Sequence, residues 1–139
     1  YAAFSASVDT YIVGRRTYTK VLEMINAFPQ TQMYQCYVIT RQDLLDEENL
    51  TFYNGDIGEL VNKLKQEPGK NIYCDGGGQI VKLLMDQDLI DEYIISVIPT
   101  ILGKGKRLFL GDTETLALKL KSEKVFDSGL VQLRYERSR

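Results

Sequence analysis

Apolar and polar positions along the chain change period several times, and each change marks an element. Val8 to Val13 (VDTYIV) is short, β-branched and apolar, as a buried strand should be. Gly14-Arg15-Arg16-Thr17 leads from it into TYTKVLEMI, where Val21, Leu22 and Ile25 fall on one helical face. Gln35 to Arg41 (QCYVITR) has the composition of a central strand, followed by a polar, acidic connection from Leu44 to Asn49 and a short strand candidate, LTFYN. Asp56 sits where an N-cap belongs, with Glu59 three residues on, and Ile57, Leu60, Val61 and Leu64 repeat at helical spacing. This helix is expected to end near Pro68-Gly69. NIYCD then reads as a strand, Gly76-Gly77-Gly78 as a junction, and Gln79 to about Gln87 as a helix with Ile80, Leu83 and Leu84 on its buried stripe. Asp91 to Pro99 (DEYIISVIP) is a further strand, followed by the glycine and lysine loop LGKGKRLF. LALKLKSEKVF and LVQLRYER alternate apolar and polar residues around Asp127-Ser128-Gly129, which predicts an antiparallel hairpin with one solvated face.

Strands alternating with helices predict an α/β fold with a mixed, mostly parallel sheet, helices on both faces, and antiparallel strands from the closing hairpin. The 139 residues form a single domain, 1–139, with enough apolar content (44%) to bury a core, and no repeat or linker interrupts them. The first glycine turn comes so early that the opening residues read as the middle of a fold, so an N-terminal element is expected to be missing.

Charge and composition narrow the function classes. With 17 basic and 19 acidic residues the net charge is -2, so no general field draws nucleic acid or an anionic membrane, and any attraction for phosphate has to be local. There is no histidine. Imidazole acid/base chemistry, serine–histidine triads and histidine metal sites are thereby excluded, and two cysteines alone make a poor metal site, so no metal is expected. Cys36 and Cys74 each lie inside an apolar run, which suits buried free thiols in a reducing compartment; cytoplasm is the expected location. No apolar run is long enough to span a bilayer, the start lacks the pattern of a signal peptide, and the sequon Asn49-Leu50-Thr51 then reads as accidental.

Three glycines between a strand and a helix need a reason, because glycine is a poor residue for both. Without Cβ atoms, Gly76, Gly77 and Gly78 can present backbone N–H groups to a pyrophosphate at a helix N-terminus. The plainer alternative is a tight turn that packs the helix on the sheet. The dinucleotide fingerprint G-x-G-x-x-G does not fit, since position 81 is valine, and LGKGKR lacks the spacing and hydroxyl residue of a P-loop. Gly14 to Thr17 (GRRT) repeats the logic with two guanidiniums and a hydroxyl, and Thr40-Arg41 supplies a third strand end fit for a phosphate monoester. A solvated surface charge is the ordinary fate of any one arginine; three such clusters at strand ends favour a phosphorylated ligand.

GRRTY, VITR, DGGGQIVKLL and LIDEYIISVIPTILGKGKRLF, in that order, resemble the dihydrofolate-reductase-like superfamily. The likeness is strongest to the C-terminal reductase domain of the bacterial bifunctional riboflavin deaminase-reductases and their single-domain relatives, and it covers essentially the whole chain. The resemblance implies a three-layer fold and NADPH bound along the strand ends. Gly14, Arg15, Arg16 and Thr17 would lie near the adenine half and pyrophosphate, Thr40 and Arg41 near the 2′-phosphate, and Gly76, Gly77, Gly78, Gln79 and Ile80 around the pyrophosphate and nicotinamide. It also implies a cis peptide between Gly76 and Gly77, a small-molecule substrate between Ser96 and the Pro99 to Phe109 loop, with Pro99, Leu102 and Gly103 contributing, and a homodimer formed through the C-terminal region. Lys104, Lys106 and Arg107 either receive a ribose phosphate or form a solvated basic loop. The family's N-terminal strand and the helix carrying the acid of dihydrofolate reductases precede the first residue here, so no catalytic acid is assigned; Asp9, Asp75 and Asp91 are the nearby acids by sequence, of which Asp75 and Asp91 read equally well as capping or turn residues. The expected activity is NADPH-dependent hydride transfer to a small acceptor, a ribosylamino-pyrimidine or another conjugated or carbonyl compound. The alternatives are an NADPH-binding module without turnover and, least in keeping with the arginines and glycines, a purely structural dimer.

Overall fold

A computed structural model describes residues 6–112 and 114–138. Residues 1–5, on which the expectation about the opening segment bears, lie outside them. In chain order the elements are β1 (Val8–Gly14), α1 (Arg15–Ile25), a 3-10 turn (Pro29–Gln32), β2 (Gln35–Ile39), β3 (Leu50–Tyr53), α2 (Ile57–Gln66), β4 (Asn71–Cys74), α3 (Gly78–Asp86), β5 (Glu92–Val97), β6 (Leu118–Val125) and β7 (Val131–Arg137).

Strands β3-β2-β1-β4 form a parallel sheet in that order. Its centre is β1, apolar on both faces as an inner parallel strand must be. Tyr11 and Val13 pack to one side with Tyr18, Val21 and Leu22 of α1, while Ile12 packs to the other with Ile57 and Val61 of α2 and Ile80 and Leu84 of α3. The fold is thus three layers, α1 on one face and α2 with α3 on the other, the architecture the periodicity predicts.

Local chemistry sets the ends of these helices. Asp56 caps α2, its Oδ1 accepting from the Gly58 N–H at 2.8 Å, and Pro68-Gly69 follows the helix as expected. Helix α1 closes at Asn26, whose left-handed backbone (φ 53°) lets its N–H reach the Leu22 carbonyl. Two side chains expected on buried stripes are exposed instead. Ile25 lies at the last residue of α1, where the chain is already turning away, and Leu83 falls beside the Ile80–Leu84 line that faces the sheet.

The last three strands hydrogen-bond as a separate antiparallel sheet, β5-β7-β6. β5 follows a helix and so reads in the sequence as one more parallel strand, yet its alternation matches β7. Pairing Glu92 with Glu136, Ile94 with Arg134 and Ser96 with Gln132 collects polar groups, Ile94 excepted, on one face and leaves Tyr93, Ile95 and Val97 opposite Tyr135, Leu133 and Val131 on the other. Arg134 and Lys121 both approach Glu92, at 3.3 and 3.5 Å, but these exposed pairs contribute little. β6 is exposed along its whole length, Leu118, Leu120 and Val125 included, so the hairpin does not have the single solvated face its alternation predicts. The Arg137–Asp88 ion pair at 2.7 Å and the Lys65–Asp91 pair at 2.9 Å tie the segment between α3 and β5 to the rest. No helix among the described residues is long and apolar enough to cross a membrane.

Both cysteines are free thiols, as expected. Burial pushes the Cys36 thiol up from 9.0 to about 12 and raises Cys74 as well. Burial, and then the hydrogen bond to Asp75, raise the Tyr11 phenol too. Between the unfolded and folded values the unfolded chain has lost protons that the native chain keeps, so stability is complete below about pH 9 and is lost as pH rises through that window. The expected result is a urea midpoint that is level from neutrality to that point and falls above it; a midpoint that climbs in alkali contradicts the burial of these groups.

Candidate functional site

Parallel pairing aligns the carboxyl ends of β2, β1 and β4 along one rim. Register matches Gly14 with Ile39 and Ile12 with Cys74, so Thr40-Arg41 and Asp75 to Gly77 leave the sheet on either side of Gly14. The Gly14 N–H donates to the Gly76 carbonyl at 2.7 Å, and the Asp75 N–H to the Ile12 carbonyl at 2.9 Å. A Cβ on Gly14 would stand 3.0 Å from Cγ1 of Ile80 and 3.5 Å from both the Gly76 oxygen and the Gly77 nitrogen. The close approach, not a special torsion, requires glycine there. Gly76 is the opposite case: its φ of 94° disfavours any side chain, while the space a Cβ would enter is open. The peptide between Gly76 and Gly77 is cis, as the resemblance implies.

Three helices begin along this carboxyl edge, and two of them flank Gly14. α1 is preceded by Gly14 and α3 by Gly77; neither start has a side-chain cap or an acid in its first turn, whereas α2, which follows the edge strand β3, has both. The N–H groups and positive dipole ends of α1 and α3 are therefore left for an external anion. The Thr17 hydroxyl lies between them, 3.5 Å from where a Cβ of Gly77 would be. Arg15 and Arg16 are the first two residues of α1, Arg16 exposed, and Gln79 is exposed on α3 beside buried Ile80.

Arg15 joins the first strand end to the second. Its Nη1 donates to Oε1 of Gln42 at 3.0 Å and its Nε to Oγ1 of Thr19 at 3.3 Å. Thr40 is buried, its N–H bonded to the Tyr53 carbonyl and its hydroxyl accepting the Gln42 N–H at 3.1 Å, which leaves Arg41 exposed on the turn. Sequence reasoning missed Gln42; a single amide in a polar connection carries no signal of its own.

The three acids singled out in the sequence all have partners, and only Asp75 lies on the rim. Asp75 accepts from the phenols of Tyr11 and, at 2.8 Å, Tyr73. Asp9 accepts from the Lys70 N–H at 2.7 Å, and Asp91 pairs with Lys65.

The residues expected to contact substrate lie on β5 and in the loop that follows it. Ser96 lies on the polar face of the antiparallel sheet, accepting from Gln132 at 3.4 Å, and Pro99 packs on the hairpin turn, 3.3 Å from where a Cβ of Gly129 would be. Leu102 is 78% exposed, and Gly103 adopts a left-handed turn (φ 79°). Lys104, Lys106 and Arg107 are exposed. The return limb of this loop is what meets the glycine rim: a Cβ on Gly78 would come within 2.8 Å of Leu110, and Lys82 donates to the Asp112 carbonyl at 2.8 Å.

Two surface concavities lie around β3, one of about 640 Å³ walled by Asp43 to Glu47 and Phe52, the other of about 460 Å³ between Tyr37, Tyr53 and the Glu59 to Glu67 side of α2. The first is lined by carboxylates, the wrong sign for a phosphate. No cluster of three or more metal-ligating side chains occurs among the described residues.

Comparison with known proteins gives a consistent set of likenesses. The sequence model of the RibD C-terminal domain matches residues 3–132. Among curated proteins, YwjB of Bacillus subtilis (strain 168), described as uncharacterized, is 42% identical over 99% of this chain and 79% of its own, and YyaP of the same organism, also uncharacterized, is 32% identical over 97% and 77%. Among solved structures, a putative riboflavin biosynthesis protein from Shewanella sp. PV-4 superposes with a TM-score of 0.87 at 25% identity, covering 100% of this chain and 79% of that one. RibD of Acinetobacter baumannii (TM-score 0.65, 20% identity, 93% and 47% coverage) shares the fold.

Proposed function

Because the chain belongs to the RibD C-terminal domain family, we propose that it is an NADPH-dependent reductase acting on a small acceptor, a ribosylamino-pyrimidine or a related conjugated or carbonyl compound. The observation that carries this reading is the Gly14 to Gly76 hydrogen bond, which brings two uncapped helix N-termini to one point of the rim. The residues fit the cofactor. No neighbour crowds the position a Cβ of Gly76 would take, the first N–H groups of α1 and α3 and the Thr17 hydroxyl can bond a pyrophosphate, and Arg15, Thr40 and Arg41 offer a hydroxyl and two guanidiniums to a monoester. When bound, NADPH supplies the hydride, so the absence of histidine is no obstacle.

In this reading the chain's own residues bind and orient. Ile80, buried under the glycines, and the Leu110 limb give the rim an apolar floor and flank that exclude water from the reacting end. Removing one charge-assisted contact from a phosphate weakens binding by roughly tenfold or more, which is the basis for a preference over NADH. Titration of the purified protein with each dinucleotide, followed by thermal shift, is expected to give stabilisation by NADPH well beyond that by NADH. No response to NADPH would remove the proposal. Binding without oxidation across pyrimidine, pteridine and carbonyl acceptors would replace it with the non-catalytic alternative.

A further inference from the structure

We propose that Gln42 is a positioning residue that commits Arg15 to the phosphate monoester on the ribose of NADPH and away from the pyrophosphate. The inference rests on the reading of the rim as an NADPH seat. Arg15 opens α1, where an unrestrained guanidinium could swing over the helix N-terminus and serve the pyrophosphate. Gln42 draws it the other way. Its Oε1 accepts from Nη1 at 3.0 Å, while Thr19, one turn along α1, accepts from Nε at 3.3 Å, so the fork is held from two sides, between α1 and the turn after β2.

The anchor is itself fixed. The Gln42 N–H donates to the buried Thr40 hydroxyl, and the Thr40 N–H donates to the Tyr53 carbonyl, which places Gln42 by the edge strand of the parallel sheet. Among the described residues these bonds occupy two of the five guanidinium donors, leaving the others for a ligand beside Thr40 and Arg41. An amide is the right chemistry for this task. It accepts a hydrogen bond without neutralising the guanidinium, whereas a carboxylate at position 42 would do both and would repel a phosphate. The adjacent carboxylate, Asp43, is engaged by Asn54 at 3.2 Å, which also bonds the Arg41 carbonyl.

NADH lacks the monoester, so the pair of dinucleotides separates the two roles of Arg15. Ordering a rotamer-rich side chain at the moment of binding costs roughly two- to tenfold in affinity, and Gln42→Ala is expected to lower NADPH affinity by that factor while NADH affinity stays within about twofold and the melting temperature is unchanged. Gln42→Glu keeps an acceptor for Arg15 but adds a negative charge, and is expected to lose NADPH affinity by roughly tenfold or more with NADH again unaffected. Equal weakening of both dinucleotides, or full retention of the wild-type preference in both variants, overturns the inference while leaving the NADPH seat standing. Wild-type protein that binds neither dinucleotide overturns the seat and the inference together.

Discussion

Replacing Gly14 by valine is expected to abolish dinucleotide binding, with affinity falling by roughly a hundredfold or more as several phosphate contacts are lost together. Gly14 is buried at the end of the central strand, and its N–H holds the Gly76 carbonyl. Even a lone Cβ stands 3.0 Å from Ile80 and 3.5 Å from the backbone of Gly76 and Gly77. Valine adds two methyl groups in a packed interior, costing about 1–3 kcal/mol of stability and displacing the glycine segment from β1. Gly14→Ala is the informative companion, because a methylene of Ile80 can give by a few tenths of an ångström and binding should be only partly reduced. Fluorescence titration with NADPH beside urea unfolding separates the two effects. A folded Gly14→Val variant that binds NADPH as the wild type does would falsify the assignment of the site to this rim.

The largest loss of stability is expected from Tyr11→Ala, at about 3–5 kcal/mol. Tyr11 is 1% exposed, and its ring meets Phe28, Tyr34 and Tyr73 at centroid distances of 5.8, 5.9 and 5.6 Å, while its hydroxyl donates to Asp75. One truncation removes the centre of an aromatic cluster and leaves a cavity beneath α1. For a domain with ~5–15 kcal/mol in total, that is a large part of the margin. Tyr11→Phe keeps the ring and forfeits only a bond to a carboxylate that water can also reach, so about 1 kcal/mol is expected. The ratio of the two, measured by urea denaturation, tests whether ring packing or the hydroxyl network holds this face; equal losses would contradict the packing account.

Much of the fold was legible along the chain. The near-continuous apolar run of β1 announced a strand buried on both faces, Asp56 announced a helix start, and the glycine triplet and GRRT announced two starts without caps. These are local properties, encoded within a few residues of where they act. The site was legible to the same extent: residues at strand ends followed by helices must line one rim if the strands are parallel neighbours, and the order β3-β2-β1-β4 makes them so.

Less was legible where partners are distant in sequence. β5 carries an alternation compatible with either sheet, and only the presence of β7, whose register sets Ser96 opposite Gln132, turned it antiparallel. Ser96 and Pro99 therefore face the hairpin, while Leu110 and Asp112 of the same loop reach the start of α3. Gln42 and the Tyr11–Asp75–Tyr73 cluster likewise depend on side chains brought together across strands.

The sequence by itself determined which segments are strands and helices, that glycines and arginines cluster at the strand ends, and that no imidazole takes part, because periodicity, glycine placement and composition are short-range facts. Only the tertiary structure decided which strands pair, which limb of the loop meets the glycines and which acceptor Arg15 bonds, because hydrogen-bond partners many residues apart are chosen by geometry that no local pattern specifies.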